Sequence, residues 1–159
     1  MCDYCDCREL APIGELSAEH ERITRLASEL RDALGSADEP RATAALAALA
    51  GALGPHLAKE ERGLLADLAA RDGFDWYVAE LLADHERARS GILATRSAGP
   101  AERDLLLVEL DDLAHHIETE EYDLFPASRL ILDDAAWSAV AAAHRSAPPG
   151  AAIAPEHAR

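Results

Sequence analysis

One pattern occurs twice in this chain. Leu53, His56, Leu57, Glu60, Glu61, Leu64 and Leu65 are matched at the same spacing by Leu113, His116, Ile117, Glu120, Glu121, Leu124 and Phe125. Upstream of each copy stands a second matched pair, Leu16-x2-Glu19-His20-Glu21-Arg22 and Leu81-x2-Asp84-His85-Glu86-Arg87. The unit is a helix with one His, followed by a helix with His-x3-Glu. Two such units facing each other would aim four imidazoles and two carboxylates at one point. That is the inner shell of a site for two transition-metal ions. Few folds can satisfy this demand, because four separate helices must converge on one centre.

The rest of the chain agrees with helices. Ala and Leu dominate, aromatic residues are only 4 %, and there are no Val/Ile/Thr-rich runs to build strands. At 159 residues the chain is long enough for one domain with a sizeable core. The formal charge of −15 repels phosphate backbones, so nucleic acid is excluded as an expected partner. No apolar run approaches the ~20 residues a membrane span needs. No basic segment followed by an apolar stretch marks the N-terminus as a secretory signal, so a cytoplasmic location is expected.

Breakers divide the chain. A Cys-rich head (1–11) precedes a helix that starts at Pro12 or Ser17 and ends at Leu34, before Gly35. A loop follows to Pro40. A second helix is expected over about 41–71, bent just before His56 by Pro55. Asp72-Gly73 reads as a turn. A third helix is expected over about 74–97, closed by Ser97-Ala98-Gly99-Pro100. A fourth spans about 101–125 and stops at Pro126. A short fifth covers Asp133–His144, capped by Asp133 or Asp134. The tail after Ser146 is rich in Pro, Ala and Gly and is expected to be mobile. The expected architecture is all-α, an up-down-up-down four-helix bundle over 12–145 with a short C-terminal helix and a tail over 146–159.

On a helical wheel, Leu46, Leu49, Leu53, His56, Glu60, Leu64 and Leu68 share one face. Leu106, Leu110, Leu113, His116, Glu120 and Leu124 do the same. Each His-Glu pair interrupts an apolar stripe where Leu would be expected. A buried unpaired carboxylate is heavily penalised, and two of them need a common compensation. A metal centre supplies it, since imidazole and carboxylate together suit iron, manganese or zinc. An ordinary surface i, i+4 pair is the bland alternative, and the repetition outweighs it. His20 and His85 lie in charged stretches and owe their candidacy to the repeat. His115 points about 100° away from His116 and belongs behind the ligands or in solvent, although a His115/Glu120 pair is a rival. Glu61 and Glu121 are off the ligand face and are candidates to orient ligands. Arg89, one turn from His85, is a candidate to line the pocket. His144 and His157 have no matching partners and are not expected to bind metal.

Over roughly residues 12–127 this arrangement resembles the hemerythrin-like, or HHE cation-binding, domain. The residues that carry the likeness are His20, His56-x3-Glu60, His85 and His116-x3-Glu120, followed by Leu124-Phe125-Pro126. The resemblance implies a four-helix bundle with a non-haem di-iron centre, Glu60 and Glu120 bridging two Fe ions and the four His as terminal ligands. Oxygen-carrying hemerythrins have a further His where this chain has Arg89, and they end in His-x4-Asp. The four-His, two-Glu set looks closer to bacterial iron-sulfur-cluster repair proteins and actinobacterial hemerythrin-like proteins. Such relatives imply chemistry with nitric oxide, peroxide or labile iron.

Cys2-x2-Cys5-x-Cys7 is too tight and too odd in number for a disulfide framework. It is compact enough to chelate a soft metal or to take part in thiol chemistry, with Asp3, Asp6 or a second chain as a fourth ligand. The leading functional expectation is therefore a di-iron protein that reacts with or senses a small diatomic gas or peroxide. An enzyme acting on peroxide or nitric oxide, an iron donor using the Cys head and a protein partner, and a metal-free interaction module are its rivals.

Overall fold

The computed structural model describes Cys7 to Ser146; residues 1–6 and 147–159, including Cys2, Cys5, His157 and the tail, lie outside the described residues. Among the described residues all regular structure is helical. A 3₁₀ turn, Cys7–Glu9, leads into α1 (Ala11–Gly35). Then come α2 (Glu39–Arg62), α3 (Leu64–Ala69), α4 (Asp75–Ala88), α5 (Arg103–Thr119), α6 (Phe125–Ile131) and α7 (Asp134–Ser146). With α3 continuing α2 and α6 continuing α5, the result is four long helical stretches and a shorter C-terminal helix, as expected.

Local chemistry explains the starts. Pro12 occupies the first turn of α1, where no backbone N–H is required. Ser17 is buried within the helix rather than starting it. Asp38 caps α2 by accepting from the Arg41 N–H at 3.1 Å. Asp133 does the same for α7, from the Ala136 N–H at 2.9 Å.

The ends differ from expectation in three places. The α2 helix runs on through Pro55, and the break falls at Gly63. There an added Cβ would stand 3.0 Å from the His144 ring, a tight contact that glycine avoids and that any other residue would relieve by a shift of a few tenths of an ångström. The third helix leaves α-geometry at Ala88 and closes in a π-turn, Arg89–Leu93, earlier than the expected 97. The fourth does not stop at Pro126. Its chain widens into a π-turn at Glu120–Leu124, closed by the Phe125 N–H on the Glu120 carbonyl, and resumes as α6. Pro126 thereby lands in a first turn, where its missing N–H costs nothing.

The core has two apolar clusters. One contains Ile23, Leu30, Leu46, Leu49, Leu53, Leu57, Ile92, Leu106, Leu110 and Leu113. The other contains Ile13, Leu16, Leu64, Leu65, Leu68, Leu81, Leu124, Phe125, Trp137 and Val140. On α1 the chain passes from the second cluster (Leu16) to the first (Ile23), and His20 lies between. On α2 it passes from the first (Leu57) to the second (Leu64), and Glu60 lies between. The third stretch repeats the order of α1, with His85 between Leu81 and Ala88; the fourth repeats that of α2, with His116 and Glu120 between Leu113 and Leu124. This alternation is the up-down-up-down topology. It also means that one polar layer crosses all four helices with an apolar cluster on either side.

Close packing at the head gives a test. A Cβ on Gly14 would meet the Arg8 carbonyl oxygen at 2.6 Å, and backbone cannot swing aside. Gly14→Ala is expected to lose about 1–3 kcal/mol of stability in chemical denaturation. Gly51→Ala, whose Cβ meets nothing within 4 Å, is expected to gain about 0.5–1 kcal/mol from its helix propensity.

Candidate metal centre

The polar layer holds His20, His56, Glu60, His85, His116 and Glu120, each no more than 5 % exposed. They form two groups, His20, His56, Glu60, Glu120 and Glu60, His85, His116, Glu120, and in each the ligand-capable atoms lie within 4.8 Å of one another. The two carboxylates belong to both groups. Glu60 Oε1 is 3.2 Å from His56 Nε2 and 3.6 Å from His20 Nε2, while its Oε2 is 3.5 Å from His85 Nε2. Glu120 Oε2 is 3.2 Å from His20 Nε2 and 3.4 Å from His116 Nε2. His85 and His116 bring their Nε2 atoms to 3.1 Å.

This geometry is costly without an ion. All four carboxylate oxygens of Glu60 and Glu120, and His20 Nε2, are buried without a hydrogen-bond partner. Orphaned anions in an apolar bundle are heavily penalised unless something compensates them. The donor set fits a pair of divalent transition-metal ions, each offered two imidazoles and shared carboxylates. In the metal-free state protons take the ions' place. Burial lowers the affinity of His56 for its proton, but the Glu60 charge and the hydrogen bond to Glu19 outweigh it and bring the pKa to about 9. His20 is raised for the same reasons, against burial and by Glu120, Glu121 and Glu60. Glu60 is held below the usual carboxylate range by His56 and His20, although burial opposes the shift.

Every imidazole turns Nε2 inward and holds a carboxylate on Nδ1. His56 Nδ1 is 2.9 Å from Glu19, His20 Nδ1 2.9 Å from Glu121, His85 Nδ1 2.9 Å from Glu61, and His116 Nδ1 3.4 Å from Asp84. These contacts fix the tautomer that presents Nε2. Behind each carboxylate stands a cation: Lys59 on Glu19, Arg8 on Glu121 at 3.2 Å, Arg89 on Glu61 at 2.6 Å, and Arg87 on Asp84. Four arms thus run inward from cation to carboxylate to imidazole.

Of the residues singled out in the sequence, all six inner ones are brought together. Glu61 and Glu121 stand behind them, on Nδ1 of His85 and of His20. Arg89 is placed behind Glu61, to which it donates at 2.6 Å. His115 is exposed, and His116 faces the centre. His144 is buried but outside both groups. Cys7 is buried in the second cluster and disulfide-bonded, while Cys2 and Cys5, the other two residues expected to chelate a soft metal or take part in thiol chemistry, lie outside the described residues. Sequence reasoning missed Glu19 and Asp84 as orienting groups. The signal was present, since each directly precedes a candidate His, but adjacent residues on a helix diverge by about 100°. Only a neighbouring helix can make them meet an imidazole, that of His56 or of His116.

The orienting arms carry a prediction. Glu19→Ala and Asp84→Ala are each expected to weaken metal binding about 10–100-fold in chelator competition. Glu19 should have the larger effect, its contact being shorter, 2.9 against 3.4 Å.

Two cavities adjoin the layer. A groove of about 550 Å³ reaches His20 and Glu121 between Thr24, Ser28, Ile117 and Tyr122. Beside His85 and His116 there is only about 10 Å³, room for roughly one water. No helix among the described residues is long and apolar enough to cross a membrane. Comparison with known proteins gives one family, described as Hemerythrin HHE cation binding domain, which matches residues 11–128. No curated protein and no solved structure gives a significant match.

Proposed function

The chain belongs to the hemerythrin HHE cation-binding family, and from that premise we propose that it holds a non-haem pair of iron ions and uses them to react with or sense dioxygen, nitric oxide or peroxide. The observation that carries the reading is the pair of buried carboxylates, Glu60 and Glu120, each shared by two His-containing groups and otherwise unpartnered. His20 and His56 would hold one ion and His85 and His116 the other. When bound, the irons would supply a reversible change of oxidation state and coordination positions for a small ligand. Zinc and manganese suit the same donors.

The residues of the chain do the rest. Glu19, Glu121, Glu61 and Asp84 keep the imidazoles aimed inward. The apolar clusters on either side of the layer exclude water and polypeptide-sized substrates. The groove over His20 supports access by a small ligand from that side, whereas the His85 side has space for little more than one water. A metal-free interaction module is disfavoured, because such a module would have no use for orphaned buried carboxylates.

The test is elemental analysis of protein from iron-replete cells, with absorption spectra before and after air, peroxide or nitric oxide. About two irons per chain and a spectrum that changes with one of these reagents is the expected result. Protein that takes up no metal after reconstitution would sink the reading.

A further inference from the structure

The four arms of the layer are alike except for one. Glu121, Glu61 and Asp84 each meet an arginine, and where that arginine runs on, to Glu21 from Arg8 and to Glu86 from Arg89, it reaches a carboxylate at the surface. Glu19 ends on Lys59, and Lys59 does not stop there. Its Nζ also donates to Glu15 Oε1 at 2.6 Å, and Glu15 Oε2 accepts from His144 Nδ1 at 3.2 Å. In the second copy of the repeat Thr119 stands at the position of Lys59, and among the four arms this one runs on to a further buried histidine. A continuous relay, His144–Glu15–Lys59–Glu19–His56, joins α7 to one inward-facing imidazole.

His144 is an unusual residue to find there. It is 6 % exposed, and its Nε2 is buried with no partner. An apolar side chain would fill the same space without that desolvation cost. The position is also closely fitted, since a Cβ on Gly63 would stand 3.0 Å from the ring. A buried histidine kept at a cost, with Nδ1 aimed at the relay, calls for a role. It also lies beyond residue 128, outside the stretch that the family accounts for.

We propose that His144 is a positioning residue for His56: through Glu15, Lys59 and Glu19 it fixes the imidazole that faces the centre, so that α7 is part of the metal site. The inference rests on the reading that the His/Glu layer holds metal. Docking of α7 orients Glu15 and Lys59, and these orient Glu19, which holds Nδ1–H of His56. The ion held by His20 and His56 is therefore coupled to α7, and the ion held by His85 and His116 is not.

The experiment compares the full-length wild type with His144→Leu, which removes the donor, and His144→Asn, whose amide can replace the Nδ1–H. Ring ¹⁵N resonances of His56 and His85 are measured in the metal-free protein. Release of Co²⁺ to a chelator is then timed in the loaded protein. His144→Leu is expected to shift the His56 signals, leave those of His85 in place, and speed release of one of the two ions about tenfold. His144→Asn should restore both. Lower thermal stability with unchanged His56 signals and unchanged release would overturn the proposal, because a purely structural α7 predicts that outcome. If the wild type binds no Co²⁺, the metal reading fails separately, and the His56 resonances still decide whether the relay exists.

Discussion

Glu60→Gln is expected to empty the centre of both ions, whereas His56→Ala should remove one. The asymmetry follows from geometry. Glu60 lies 3.2 Å from His56 and 3.6 Å from His20 on one oxygen, and 3.5 Å from His85 on the other, so it serves both groups. His56 belongs to only one of them. An amide removes the negative charge that a pair of divalent ions requires and leaves the volume unchanged, so a packing defect cannot be the cause. The metal-free protein should lose stability as well, on the order of 3 kcal/mol near neutral pH, because a buried pair is broken by removing one member. Glu61→Gln is the control, since Glu61 meets His85 only through Nδ1. The measurement is iron per chain after anaerobic reconstitution, with chemical denaturation of the metal-free forms. Two irons retained in Glu60→Gln would show that the carboxylate is not shared as the geometry requires.

Metal-free and metal-loaded protein should respond to pH in opposite directions. In the metal-free protein His56 titrates at about 9 against an ordinary value of 6.5, and His20 is raised too. A raised folded-state pKa contributes stability that is complete below about 6.5 and is lost as pH climbs through 9. Glu60 is depressed, and Glu121 is brought to about 2, with burial opposing and the His20 hydrogen bond prevailing. Their contributions are present above about 4.5 and are lost as pH falls through the folded values. The metal-free bundle should therefore be most stable between about pH 5 and 6.5 and weaken toward pH 9. An ion must displace the protons on His20 and His56, so its affinity rises over that same alkaline range. Melting curves with and without metal at pH 5.5, 7 and 8.5 should separate progressively. Calorimetry in buffers of different ionisation enthalpy should find about two protons released per loaded chain at pH 7. A metal-free protein that gains stability from pH 6.5 to 9 would refute this account.

Much of the fold was legible because helices are local. The turn at Gly73, with φ +86°, Pro12 in its first turn and Asp133 on the Ala136 N–H are each decided within a few residues. Pro126 misled for the complementary reason. Proline forbids a hydrogen bond locally, but whether the chain ends there depends on what surrounds it. At Pro126 a π-turn absorbs the defect, and the helix expected over about 41–71 breaks at Gly63, where a distant helix presses.

The centre divides in the same way. His56 with Glu60 and His116 with Glu120 announce themselves, since a helical repeat places polar groups on an apolar stripe by arithmetic alone. His20 and His85 become visible only by comparing the two halves of the chain. The orienting carboxylates belong to tertiary structure: Glu19 meets His56 of another helix, and Asp84 meets His116 likewise. So does the contact of α7 with Glu15 through His144. The sequence by itself determined that this chain is an antiparallel helical bundle with six metal-seeking side chains in its core, because helical periodicity and the cost of burying carboxylates act along one strand of chain. Which imidazole leans on which carboxylate, which side of the layer the groove reaches, and that His144 of the C-terminal helix meets Glu15 were decided only when the helices packed, because those contacts join residues that no period along the sequence relates.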